Sequence, residues 1–111
     1  MSVQIIKKDY TDEVNKDIQS AITEALETIG KRVVAYAKAD CPVDTGKLRD
    51  SIQYVVDDSD NSLSVGTNVE YAPYVEMGTS RQKAQPFLRP AVTEHTDEYK
   101  KIFEDKMKNT S

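Results

Sequence analysis

The sequence has few of the residue types on which small catalytic and metal-binding domains depend. It contains no Trp, one Cys, one His, four Gly and four Pro in 111 residues. The single cysteine, Cys41, excludes an intrachain disulfide and a cysteine-based zinc cluster. No apolar run approaches the ~20 residues that span a bilayer, and no charged-then-apolar leader opens the chain. We therefore expect a cytoplasmic protein with no membrane partner, no metal and no cofactor.

Charge is the property that varies most along the chain. The formal net charge is −4, which argues against a protein that coats nucleic acid. Residues 1–40 carry a net charge of −1, residues 41–79 carry −5, and residues 80–111 carry +2. An acidic middle followed by a basic end favours head-to-tail contact between copies. Charges scattered over a solvated surface explain the same numbers equally well.

Apolar residues repeat at spacings of three and four in the first third of the chain, which predicts one long amphipathic helix over 9–40. Its stripe consists of Val14, Ile18, Ala21, Ile22, Ala25, Leu26, Ile29, Val33 and Ala37. Residues 1–8 are predicted to form a strand or an extended arm. At 1.5 Å per residue the helix would be about 40 Å long. Pro42 ends it, and Gly30 inside it marks a bend or a close packing contact.

Two runs of alternating apolar and polar residues, joined by a polar turn cluster, predict an antiparallel β-hairpin over 48–69. A short helix or turn is expected around Pro73. The segment 78–87 is basic and aperiodic, which predicts a loop, and 87–107 is predicted to be a second helix. Because a small sheet cannot bury both faces by itself, the helices are expected to cover one face. The predicted fold is one α+β domain.

The triplet Asp44-Thr45-Gly46 is the pattern most suggestive of catalysis. Viral aspartic proteases are homodimers of ~100-residue chains with one such triplet each, and their two carboxylates share a proton. That chemistry needs an apolar strand before the aspartate and an almost all-β body. Here a long helix precedes the triplet, and Lys47 and Arg49 follow it. We interpret the triplet as a structural turn in which Gly46 has a positive φ, and we predict no catalytic residue.

Cys41 and His95 are the other residues with catalytic potential. Cys41 lies at a helix end before a proline, which is typical of a small buried filler. His95 lies on the apolar stripe of the last helix, where a packed or interfacial role is expected. Neither residue has a sequence neighbour that would complete a nucleophile and its base.

Basic and aromatic residues cluster around the loop 78–87. Arg81, Lys83 and Arg89 could contact phosphate, but they lack the interleaved aromatics of a base-stacking platform. They could equally meet the acidic middle of a neighbouring copy. The aromatic residues that flank the loop are Tyr71, Tyr74 and Phe87. Aromatic side chains near arginine are common interface anchors; the alternative is that these three close the sheet edge.

Four stretches taken in order resemble one family. They are 41–52 (CPVDTGKLRDSI), 65–68 (VGTN), 71–79 (YAPYVEMGT) and 84–91 (AQPFLRPA). The ordered set is similar to the head–tail joining family of long-tailed double-stranded-DNA phages and prophages, also called neck, tail-completion or gene-product-ten-like proteins. Met77 stands where the family form Glu-Phe-Gly-Thr has Phe, and this change keeps an apolar side chain.

The resemblance implies a non-enzymatic α+β protein that assembles into a ring, with six-fold symmetry expected, in the virion neck. Its partners would be the phage head-connector and tail proteins, after assembly in the bacterial host cytoplasm. DNA would pass through the lumen without being bound specifically, which suits an acidic protein. A ring needs heterologous interfaces, in which one patch meets a different patch on the next copy.

The expected oligomer interface lies around the loop 78–87. Its predicted residues are Tyr71, Tyr74, Glu76, Arg81, Lys83, Phe87 and Arg89. Gly78 and Pro86 would bracket the loop as hinge and stop, and the loop would reach a neighbouring subunit or line the lumen. Two alternatives stay open: a tail terminator or tail-assembly factor of similar size, and the small protease considered above.

Overall fold

A computed structural model describes the backbone of residues 2–7, 16–42 and 46–108, and the side chains of 18–42 and 46–108. The elements are β1 (Ser2–Lys7), α1 (Lys16–Asp40), α2 (Gly46–Ser51), β2 (Gln53–Asp57), β3 (Ser62–Gly66), α3 (Ala72–Met77), α4 (Leu88–Thr93) and α5 (Thr96–Lys108). This arrangement confirms the predicted α+β class, with a long N-terminal helix, a small antiparallel sheet and a C-terminal helix. The molecule is elongated, measuring 53 × 22 × 20 Å.

Helix α1 packs against α5 on one side and against the sheet on the other. Its core face consists of Ile22, Leu26, Ile29, Val33 and Ala37, all at most 2% exposed. Burying each of the larger side chains stabilises the fold by about 1.5–3 kcal/mol. Gly30 allows the sheet to approach, because a Cβ there would lie 2.5 Å from Cδ2 of the Tyr54 ring. The predicted part 9–15 of this helix lies outside the described residues.

The sheet has three strands in the order β1-β3-β2, and both pairings are antiparallel. Leu63 and Val65 of the central strand are fully buried, whereas β2 alternates between exposed and half-buried positions. The turn between β2 and β3 lies beside the start of α1, where Gln19 Nε2 donates to Asn61 Oδ1 at 2.8 Å. Asn61 has φ +54°, a conformation that asparagine tolerates in turns.

The hairpin is shorter than the predicted range 48–69, because the segment before it is helical. Residues 46–51 form α2, in which the Ser51 hydroxyl donates to the Leu48 carbonyl at 2.6 Å. Leu48 and Ile52 are both buried, and their spacing of four is that of one helix face. The second strand ends at Gly66 rather than at residue 69.

The predicted helix over 87–107 is two helices, α4 and α5, separated by a turn at Glu94 and His95. Thr96, Asp97 and Glu98 explain the interruption, because a threonine followed by acidic residues is typical of a helix start. The Thr93 hydroxyl also donates back to the Arg89 carbonyl at 2.9 Å, a bond that tends to bend helices.

In the described part of the chain, no helix has the length and apolar character needed to cross a bilayer.

Candidate interaction surface

Helix α3 presents two large apolar side chains to solvent. Tyr74 is 61% exposed and Met77 is 70% exposed. Their spacing of three places them on one side of the helix. Pro73 lies in the first turn, where its missing N–H costs no hydrogen bond. Two such side chains together on a six-residue helix form an apolar patch of the kind found at interfaces.

Gly78 ends α3 and turns the chain into the loop. Its φ is +78° and its ψ is 175°, a region that is essentially restricted to glycine. A Cβ at this position would lie 2.7 Å from the backbone nitrogen of Ala84. The residue therefore fixes a tight turn, and the predicted role of a hinge does not fit this close packing.

The loop 78–87 folds back on α3 through backbone hydrogen bonds. Gln85 N–H donates to the Val75 carbonyl at 2.8 Å, and Thr79 N–H donates to the Gln82 carbonyl at 2.9 Å. The Thr79 hydroxyl oxygen accepts from the N–H groups of Arg81 and Gln82 at 3.2 and 3.0 Å. The segment has no helix or strand, as predicted, but its path is held at several points.

Glu76 anchors the far end of the loop to α3. Its side chain is 7% exposed. Oε1 accepts from the backbone N–H groups of Phe87 and Leu88 at 3.1 and 2.8 Å, and Oε2 accepts from that of Arg89 at 3.3 Å. These N–H groups open α4, so a carboxylate from another helix satisfies donors that a local cap would otherwise meet.

The seven predicted interface residues thus separate by burial. Tyr74, Arg81, Lys83 and Arg89 are exposed, and Tyr71 is half-buried. Glu76 and Phe87 are buried, with Phe87 at 0% exposure, so both belong to the protomer's interior and offer no surface to a neighbour. We correct the prediction for these two: Phe87 fills the core, and Glu76 positions the loop.

Met77 is also exposed, although it was not among the predicted interface residues. We call Tyr74, Met77, Arg81, Lys83 and Arg89 the basic surface. In the described residues, none of its three cations forms an ion pair. The helical spacing of 74 and 77 is the sequence signal that could have found Met77. Exposed cations that form no ion pair in the described structure are available to an external partner.

Tyr71 lies beside an open depression of about 430 Å³. The other lining residues are Lys47, Asn68, Val69 and Glu70. The depression is wide and largely polar, which does not suit the enclosed apolar pockets of most small-molecule sites.

The Asp44-Thr45-Gly46 triplet is only partly described. Gly46 is the first residue of α2 and has no positive φ, so the turn conformation predicted for it is wrong. A Cβ at Gly46 would meet nothing within 4 Å. Asp44 and Thr45 lie outside the described residues.

Cys41 and His95 have the packed positions predicted for them. Cys41 is 3% exposed within the core. The His95 ring stacks on that of Tyr36 with centroids 3.6 Å apart and planes inclined by 3°. His95 lies in the α4–α5 turn rather than on a helical stripe. No three His, Cys, Asp or Glu side chains lie close enough to hold a metal ion among the residues with described positions.

A polar cluster beside His95 joins α1 to α5. Arg32 Nη2 donates to Glu98 Oε1 at 2.6 Å, and the Tyr36 hydroxyl donates to Glu98 Oε2 at 2.6 Å. The Tyr36 hydrogen bond, followed by that of Arg32, lowers the pKa of Glu98. Nearby, burial raises the pKa of Tyr99 to about 12, and its hydroxyl donates to the Ala91 carbonyl. These contacts connect α5 to α1 and α4.

Comparison with known families decides the relationship. A family model described as "Bacteriophage HK97-gp10, putative tail-component" matches residues 7–78. The chain belongs to this family. The match ends at Gly78, so it includes the hairpin and α3 but neither the basic loop nor α4 and α5. Searches of curated proteins and of solved structures found no significant match.

Proposed function

We propose that this HK97-gp10-like chain is a non-enzymatic structural protein of the phage neck, which joins the head connector to the tail by forming a ring of its own copies. As a member of a phage tail-component family it has its place in the virion. The observation that carries the proposal is the basic surface. It combines two exposed apolar side chains with three cations that form no ion pair among the described residues, on a segment that Glu76 fixes from within.

The distribution of charge supports assembly between copies. The basic surface belongs to a chain whose net charge is −4 and whose residues 41–79 contain seven acidic and two basic side chains. Opposite charges on one chain favour contact between unlike patches, which is the interface type that closed rings need. DNA would then pass through the lumen of an acidic ring without specific contacts.

A tail-terminator or tail-assembly factor is the second candidate. The family description favours it, because that description refers to the tail and not to the neck. Cross-linking neighbours in assembled particles separates the two positions. Cross-links to the head connector support the neck, whereas cross-links to tail-tube subunits alone support the terminator.

Light scattering of the purified protein over a concentration series, with particle imaging of the top fraction, tests the proposal. A closed ring near six copies is the expected result. If the protein is a monomer, the next experiment is co-purification with the connector and tail proteins. Absence of this protein from their complex would contradict the proposal. A tight two-fold dimer would also contradict the proposal and would favour the aspartic-protease alternative. In that case Asp44→Asn should abolish proteolytic activity.

A further inference from the structure

We infer that the basic surface binds the outer face of the β-hairpin on a second copy of this chain. This inference rests on the proposed function, and it names the surface on the neighbour that the basic surface meets. The hairpin face consists of Val55, which is 59% exposed, the exposed Asp57 beyond it on the same side of β2, and Asp58 in the turn. We call this the acidic surface.

The acidic surface is a sheet face without a covering element in the described residues. Helix α1 packs against the inner side, where Tyr54 meets Gly30. On the outer side Val55 is opposite Ser64, and Gln53 is opposite Gly66. These small neighbours leave Val55 protruding from a shallow surface that a flat partner could approach closely.

Exposed apolar side chains occur on both the acidic surface and the basic surface. The large hydrophobic side chains that are more than half exposed are Val55, Tyr74 and Met77 in the described part of the chain. Val55 lies on the acidic surface, and the other two lie on the basic surface. Val55 thus lies on the strand that carries Asp57, and Tyr74 and Met77 lie on the helix that precedes the basic loop.

The two carboxylates of the acidic surface are exposed. Asp57 Oδ1 accepts from the hydroxyl and the N–H of Ser59, at 2.5 and 3.0 Å, and these bonds lower the pKa of Asp57. Neither Asp57 nor Asp58 forms an ion pair in the described structure. The side chain of Asp58 is exposed, and only its carbonyl is engaged, by Gln19.

The two surfaces lie toward opposite ends of β3. The acidic turn precedes β3, and α3 follows from the other end of that strand, about 17 Å away at the usual rise per residue. A pair joined by a single contact between unlike surfaces leaves one acidic and one basic surface open. Further copies add there until the assembly closes into a ring.

Charge reversal on each surface tests the inference. The basic-surface variant is Arg81→Glu with Lys83→Glu, and the acidic-surface variant is Val55→Lys with Asp58→Lys. Their side chains make no described hydrogen bond, so both variants should fold. We expect each alone to raise the dissociation constant of self-association at least tenfold, because like charges then face each other. Two matched control variants on α5 should leave the dissociation constant unchanged. They are Lys100→Glu with Lys101→Glu, and Glu104→Lys with Asp105→Lys.

Mixing the two variants is the decisive measurement. The intact acidic surface of one variant can then meet the intact basic surface of the other. Sedimentation should show association restored, with equal numbers of the two variants. The inference would be overturned if either variant self-associated as strongly as the wild type, or if mixing did not restore association. In both cases the wild-type ring, and with it the proposed function, would stand.

A wild-type protein that stays monomeric at every concentration would also overturn the inference. Incorporation of the wild-type chain into phage particles then tests the proposed function separately. If both variants lose incorporation although the wild type is monomeric, the two surfaces bind another virion protein instead of a second copy.

Discussion

Glu76 and Glu98 are two carboxylates that each join segments distant along the chain, but in different surroundings. Glu76 is 7% exposed and accepts three backbone N–H groups at the start of α4. The Glu98 side chain is 30% exposed and bonds to the side chains of Arg32 and Tyr36 on α1. One carboxylate fixes backbone, and the other links side chains.

The difference shows which of the two contacts the fold can lose. Backbone N–H groups buried beside Glu76 have no alternative partner among the described contacts, and leaving them unsatisfied costs about 1–3 kcal/mol each. The Arg32 side chain is 53% exposed, so water replaces Glu98 readily. We conclude that the shape of the basic surface depends on Glu76, while Glu98 adds little to stability.

Replacing Glu76 should have the largest effect. We expect Glu76→Ala to lower the free energy of unfolding by about 3 kcal/mol or more, since several backbone donors lose their acceptor. Glu76→Gln keeps the oxygen that accepts from Phe87 and Leu88, but an amide NH₂ can replace the oxygen facing Arg89. Its expected cost is about half as large, and urea unfolding followed by circular dichroism measures both.

The control for this prediction is Glu70→Ala, which removes an exposed carboxylate two residues before α3. It should leave stability within about 0.5 kcal/mol of the wild type. Equal losses from Glu76→Ala and Glu70→Ala would show that the buried anchor does not support the loop.

Gly78→Ala should have the second-largest effect. The substitution places a side chain at φ +78°, and its Cβ would lie 2.7 Å from the Ala84 nitrogen. We expect a loss of about 2 kcal/mol from this strain. The matched control is Gly46→Ala, since a Cβ there meets nothing within 4 Å and the position is helical. Thermal unfolding measures both variants. If neither Gly78→Ala nor Gly46→Ala lowered the Tm, glycine would not be required at position 78.

The sequence predicted those parts of the fold that depend on periodicity. The predicted apolar stripe of α1 lies in the core from Ala21 to Ala37, whereas Ile18 is 39% exposed and Val14 lies outside the described residues. Gly30 is a close-packing position, one of the two roles expected for it. Periodicity could not reveal that α4 and α5 are separate, because the same apolar residues suit one helix or two. The start signal at Thr96 carries that information, and the prediction did not use it.

The sequence did not reveal which of the predicted interface residues are buried. Tyr74, Arg81, Lys83 and Arg89 are exposed, whereas Glu76 and Phe87 are interior. Sequence reasoning treated Glu76 as one more surface charge, because nothing local indicates that the N–H groups of Phe87, Leu88 and Arg89 lack another acceptor. A tertiary contact across eleven residues, between Glu76 and the Phe87 N–H, decides its role.

The smallest effect is expected for Glu98→Gln, with Glu104→Gln, an exposed α5 position, as its control. Tyr36 and Arg32 lower the folded-state pKa of Glu98 below its ordinary value of 4.5. The contribution of ionised Glu98 to the free energy of unfolding is therefore present above pH 4.5. It is lost as the pH falls through the folded-state pKa. Wild type and variant should differ slightly in Tm at pH 7 in low salt, and the difference should shrink with added salt or acid. A difference as large as that for Glu76→Gln, persisting in high salt, would show that burial does not separate the two carboxylates.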